Sequence, residues 1–224
     1  MYSLHLVTVA DVVDLVPTDR SSLSSPNQLT AQIARNLADR HPSFVFEDVS
    51  LTAWEAQIER GIGMMLRPLS RLLVEAGMDR KQARSVPVRL DLHGEPMGGS
   101  WIPASLISQA EDLIESRLER QLARLREAEI DPVATVGTLL LAFAAAREAG
   151  AGLLEANGVM VPGAEPRGPL IIANRKSLPA DLRKRLEEAA KPPKRPGLMA
   201  RLVGRRANAR LDWPPSKLDG IDPD

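Results

Sequence analysis

Hydrophobic positions along this chain switch between a two-residue and a four-residue rhythm, and the switches mark its elements. Tyr2 to Val9 alternates as a strand does, and a short helical stretch from Ala10 follows until Pro17 stops it after Val16. Beyond a Ser-rich loop, Thr18 to Ser25, Pro26 opens a helix in which Leu29, Ile33 and Leu37 recur every four residues, with Ser25 as its N-cap. It ends near Arg40, before the His41-Pro42 step. Ser43 to Val49 carries Phe44 and Phe46 on one face and is a second strand. Thr52 and Glu55 then show capping-box spacing, and Trp54, Ile58, Ile62 and Met65 form the buried side of a new helix. Its pattern resumes through Leu69, Leu72, Leu73 and Ala76, but Gly61, Gly63 and Pro68 predict a kink or a break between Met64 and Pro68.

Val86 to Leu92 sets Val88, Leu90 and Leu92 against Arg89, Asp91 and His93, a half-buried strand with Pro87 at its start or on an edge. Gly94 to Ser100 is a loop. From Pro103 to Glu129 a broad helical stripe holds Leu106, Ile107, Ala110, Leu113, Ile114, Leu118, Leu122 and Leu125. Glu111, Glu115 and Glu119 line one edge of that stripe, and Arg117, Arg120 and Arg124 the other. Like charges at this spacing repel within their own helix, so their partners lie elsewhere. Asp131-Pro132 caps the next helix, which reaches Gly150 through a nearly uninterrupted apolar run, and the two read as a helical hairpin. Val159 to Val161 and Pro169 to Ala173 suggest a minor hairpin, and Ser177 to Ala190 is a last helix with Ser177 near its cap and Pro179 in its first turn.

These elements predict an α+β fold, predominantly helical: a small sheet of short strands in the N-terminal part packed with helices, then a helical hairpin and a disordered C-terminal tail. An α/β arrangement around a small sheet is the alternative. Residues 1–190 read as one globular domain, divisible into 1–93 (β-α-β-α-β) and 101–190 (the helical hairpin and the final helix), and 191–224 as a basic, Pro-rich tail.

Composition narrows the function classes. Without cysteine there are no disulfides, thiolate zinc sites or cysteine nucleophiles. Net charge is zero, yet residues 1–190 hold 25 acids and 21 bases while 191–224 hold 4 and 8. The tail is therefore basic, and Arg201, Arg205, Arg206 and Arg210 suit an anionic surface. The longest uncharged run, Pro132 to Ala146, is 15 residues, shorter than the roughly 20 that span a bilayer, so it is a buried helix. With no basic start before its first apolar residues the chain reads as cytoplasmic.

Signatures of chemistry are sparse. No His-x-x-x-His, nucleophile-elbow, Walker or dinucleotide glycine pattern occurs, so no catalytic residue and no cofactor is assigned. Asp91, His93 and Glu95 alternate and would share one strand face as metal or acid/base ligands, although the solvent face of an edge strand explains them as well. Arg175, Lys176 and Ser177 precede a helix start, where amides and dipole favour an anion, and an ordinary cap is the plainer account. Arg67, Arg71 and Arg80 to Arg84 would form a basic patch in a chain whose arginines outnumber its lysines 23 to 6. Aromatic residues make up only 3%, which argues against stacking recognition of nucleic acid.

The expectation is a non-enzymatic interaction or scaffold protein, a homodimer, whose helices 103–129 and 132–149 contact a protein partner, either a second copy or another chain. Its alternatives are an enzyme or ligand-binding domain for an anionic small molecule, and attachment to an anionic surface through the tail. Apolar intervals of four, where a coiled-coil seam alternates three and four, make packing within the chain the competitor to assembly.

Overall fold

The computed structural model describes residues 1–15, 26–47, 49–84, 99–159 and 168–191. They lie within one unit, Met1–Lys191. In chain order the elements are β1 (Tyr2–Val7), α1 (Val9–Leu15), α2 (Pro26–Arg40), β2 (Ser43–Phe46), α3 (Leu51–Ala53), a π-helical turn (Trp54–Ile58) and a 3-10 turn (Arg60–Met64). There follow β3 (Arg67–Pro68), α4 (Leu69–Glu75), α5 (Arg80–Ala83), β4 (Ser100–Ile102), α6 (Ile107–Ser116), α7 (Leu118–Glu127), α8 (Pro132–Glu148), β5 (Gly152–Asn157), β6 (Leu170–Ile172) and α9 (Ala180–Ala189). The fold is α+β and predominantly helical.

The sheet has the order β3-β4-β5-β1-β2-β6 and is antiparallel except for β2 and β6. It extends beyond the N-terminal strands to β5 and β6, which follow the helical hairpin. Alternation sorts its side chains into two layers. Leu4, Leu6, Phe44, Phe46 and Leu153 join one core with residues of α6, α7 and α8. Val7, Trp101 and Leu154 join another with residues of α1, α2 and α4, while Val45 and Ala156 pack against Ala31, Ala34 and Ala38 of α2.

Helix α8 justifies its apolar sequence. It packs on the sheet, on α6 and α7, and on α9, so that Pro132 to Leu140, Ala142, Phe143 and Ala146 are all buried. Gly137 lies where a Cβ would come within 2.4 Å of Leu178, which lets the approach to α9 close down on α8.

Several expectations change. The helix expected over Pro103 to Glu129 is preceded by a 3-10 turn, Ala104–Leu106, and breaks at Arg117 (φ −124°, ψ 23°) into α6 and α7. The helix expected at Thr52 is capped instead by Ser50, whose hydroxyl accepts from the Ala53 N–H at 2.9 Å, and passes after one turn into π and 3-10 geometry. The predicted break before Pro68 is present, with β3 between the 3-10 turn and α4. The final helix starts after Pro179, which holds Leu178 extended (φ −77°, ψ 142°), so Ser177 closes a 3-10 turn rather than capping α9. In place of a minor hairpin partner, β6 has β2, to which it pairs parallel; Val159 lies outside any strand, and Met160 and Val161 lie outside the described residues. The expected strand over Val86 to Leu92 lies outside the described residues.

Candidate functional site

Glu111, Glu115, Arg117 and Arg124 of the long helix find their partners inside the chain. Glu111 receives Arg147 of α8 at 2.6 Å, and Glu115 receives both terminal nitrogens of Arg185 of α9 at 2.8 and 3.0 Å. On the other edge, Arg117 donates to Glu59 at 2.7 Å, and Arg124 donates to the carbonyls of Ile58 at 2.6 Å and Gln57 at 3.4 Å. Those carbonyls end the π-helical turn, where the next helical donors are missing. The acidic edge thus faces α8 and α9, and the arginine edge clamps the strap from Trp54 to Met64. Glu119 and Arg120 stay exposed without an ion-pair partner among the described residues.

With that surface occupied, the sheet's two edges differ in a way that matters for binding. The β3 edge is two residues long and blunted: Pro68 has no N–H, and the Arg67 guanidinium covers the carbonyls of Met64 (2.7 Å) and Leu66 (3.0 Å). Among the described residues, none protects the β6 edge in this way. Its register sets Ser43, Phe44 and Val45 beside Leu170, Ile171 and Ile172, and the flanking bonds run from Ser43 N–H to Pro169 and from Ala173 N–H to Val45, both 2.9 Å. Odd-numbered residues of this segment therefore bond to β2, and the N–H and C=O groups of Leu170 and Ile172 point away from the sheet. Their side chains are 44% and 45% exposed, whereas Ile171 packs against the core. Gly168 anchors the strand, donating to the Ala38 carbonyl at 3.1 Å where a Cβ would lie 2.4 Å from that same oxygen.

Inside the sheet, His5 is fully buried between Ser3 (Nε2 to Oγ, 2.8 Å) and Ser43 (Nδ1 to Oγ, 3.0 Å). Ser3 donates to the Ala156 carbonyl at 3.4 Å, which assigns the ring proton to Nε2 and leaves Nδ1 to accept from Ser43. Burial pushes the His5 pKa down to about 4. Ser43 and His5 stand at nucleophile–base distance, yet neither is open to a substrate and no carboxylate orients the ring, so the trio is a satisfied polar core. On the opposite face, buried Glu155 accepts from the Leu51 N–H beside a cavity lined by Tyr2, Phe46 and Trp54. That cavity offers ≈ 10 Å³ to the centre of a water molecule, space for one water.

His41 approaches Asp11 at 3.3 Å. Burial pushes the Asp11 carboxyl up, but hydrogen bonds from the Thr8 side chain and backbone, with those from His41, bring it below the usual range. Thr8 and Asp11 cap each other reciprocally at the start of α1, so this group has a structural task.

Arg175 is engaged too. Its Nε donates to both oxygens of Asp131, at 2.7 and 3.0 Å, while Asp131 caps α8 through the N–H groups of Val133 and Ala134. Burial pushes the Asp131 carboxyl up, and the Arg175 hydrogen bond, the cap amides and the cationic charge together hold it below its ordinary value. Lys176 donates its backbone N–H to the Asn174 side chain at 2.9 Å, and Ser177 is exposed. Asp91, His93 and Glu95 lie outside the described residues, as do Arg201, Arg205, Arg206 and Arg210. Among the described residues no three His, Asp or Glu side chains gather, and no helix is long and apolar enough to cross a membrane.

The apolar run Leu170 to Ile172 was the available signal for the β6 edge, but nothing local says that it pairs parallel with β2. Comparison with protein-family models, with curated proteins and with solved structures gives no match.

Proposed function

We propose that this chain is a non-enzymatic assembly protein that works by strand addition at β6, and that its partner is a second copy of itself. The observation that carries this reading is the open β6 edge, with the backbone groups and half-exposed side chains of Leu170 and Ile172 turned outward. Two copies related by a twofold axis would pair β6 antiparallel to β6 and join two six-stranded sheets. The contact surface is thereby moved from helix 103–129, whose Glu111, Glu115, Arg117 and Arg124 are held within the chain, to the sheet edge. A three-residue strand offers few hydrogen bonds, so the association is of micromolar strength rather than obligate.

Size exclusion with light scattering tests this on the full chain and on Ile172→Pro, which removes an outward N–H without touching the β2 ladder. The parent should rise from monomer to dimer mass across tens of micromolar, with the variant remaining a monomer. A parent that stays monomeric, or a variant that dimerises equally, would reject the edge as the contact.

A further inference from the structure

Arg71 of α4 and Arg80 and Arg84 at the two ends of α5 converge on one open cleft of ≈ 270 Å³, completed by Ser70, Val74 and Ala83. We propose that this cleft binds a compact phosphate-bearing anion. It shares no residue with the β6 edge and stands independently of the association proposed there.

Among the described residues, no carboxylate lines the cleft. Glu75, one turn along from Arg71, pairs with it at 3.3 Å with both side chains exposed to water, a contact of little strength that a phosphate can displace. Asp79, which precedes α5, is committed to the backbone N–H groups of Lys81 (2.9 Å) and Gln82 (3.2 Å). Arg80 and Arg84 therefore have no ion-pair partner among the described residues, although they sit one helical turn apart and repel each other. An anion between them relieves that repulsion, and the side chains of Val74 and Ala83 give the cleft apolar walls against which its charge is felt more strongly.

The donor set selects the ligand class. Guanidinium groups are planar forks that match phosphate oxygens two at a time, and the Ser70 hydroxyl adds a neutral donor. Among the described residues no aromatic ring lines the cleft to serve as a platform for a nucleobase, and recognition falls on the phosphate itself.

Isothermal titration of the full chain with inorganic pyrophosphate at low salt is the test. Binding in the micromolar to millimolar range is expected, weakening by ~10-fold or more in the double variant Arg80→Gln/Arg84→Gln and declining with added salt. Arg120→Gln, on exposed α7 surface, should bind as the parent does. No heat at millimolar pyrophosphate, or equal binding by the double variant, would overturn the site. Capture by phosphatidic-acid vesicles that pyrophosphate fails to compete away would overturn the small-anion assignment in favour of a lipid headgroup.

Discussion

Arg117 meets Glu59 at 2.7 Å at the point where the long amphipathic stretch breaks into two helices. Glu59 is 3% exposed and its other carboxylate oxygen has no partner, so the guanidinium is the group that compensates its charge. Glu59 also accepts from the Gly61 N–H at 3.1 Å and caps the 3-10 turn, so one side chain ties the strap to the helical hairpin. Replacing Arg117 with Met leaves a buried carboxylate without its cation. Since Arg117 is itself half exposed, the expected cost is about 2 kcal/mol in denaturant unfolding, below the range for fully buried pairs. Arg120→Met, exposed and unpaired, should change stability by less than about 0.5 kcal/mol.

His5 makes stability depend on pH in a window separate from that of the carboxylates. Its pKa falls from 6.5 to about 4 in the fold, so the unfolded chain binds the extra proton between those values and stability is lost as pH falls. Unfolding free energy should drop by about 1.4 kcal/mol between about pH 7.5 and about pH 5.5 from this group alone. Asp11 and Asp131, with carboxyls held low, contribute stability that is lost only at more acid pH. The measurement is urea unfolding at the two pH values for the parent and for His5→Gln. A slope as steep in the variant as in the parent would show that another group is responsible.

Gln121 is fully buried on α7, and neither amide atom has a hydrogen-bond partner. An unsatisfied buried amide costs roughly 1–3 kcal/mol, so Gln121→Met, which preserves length and removes the polar atoms, should raise stability by about 1–2 kcal/mol. Thermal unfolding reads this directly, and a lowered midpoint would contradict it.

Legibility in the sequence followed from how local each cause was. Strand β1, helix α2 and the buried helix α8 could be read because alternation, four-residue spacing and an uncharged run are local patterns. Strand β5 could not: buried almost throughout at the middle of the sheet, Gly152-Leu-Leu-Glu-Ala-Asn lacks alternation and is rich in helix formers. No glycine or proline announces the break at Arg117, which accompanies a contact to Glu59 from 58 positions away. Pro179 did carry the true start of α9, through its restriction of Leu178. The segregated charges of the long helix were visible as a code for docking, but the code names α8, α9 and the strap, as only the tertiary contacts reveal. Arg71, Arg80 and Arg84 were visible as basic residues, whereas their shared cleft depends on how α4 and α5 meet.

The assembly reading rests on two backbone amides, those of Leu170 and Ile172, which face away from β2. Their hydrogen exchange, followed by NMR or by mass spectrometry of a peptide spanning β6 across a range of protein concentrations, tests the reading most directly. Strand addition by a second copy predicts slow exchange that becomes slower as concentration rises, alongside an Ile171 amide that is protected throughout. Exchange at Leu170 and Ile172 as fast as in an unstructured peptide at every concentration would contradict it.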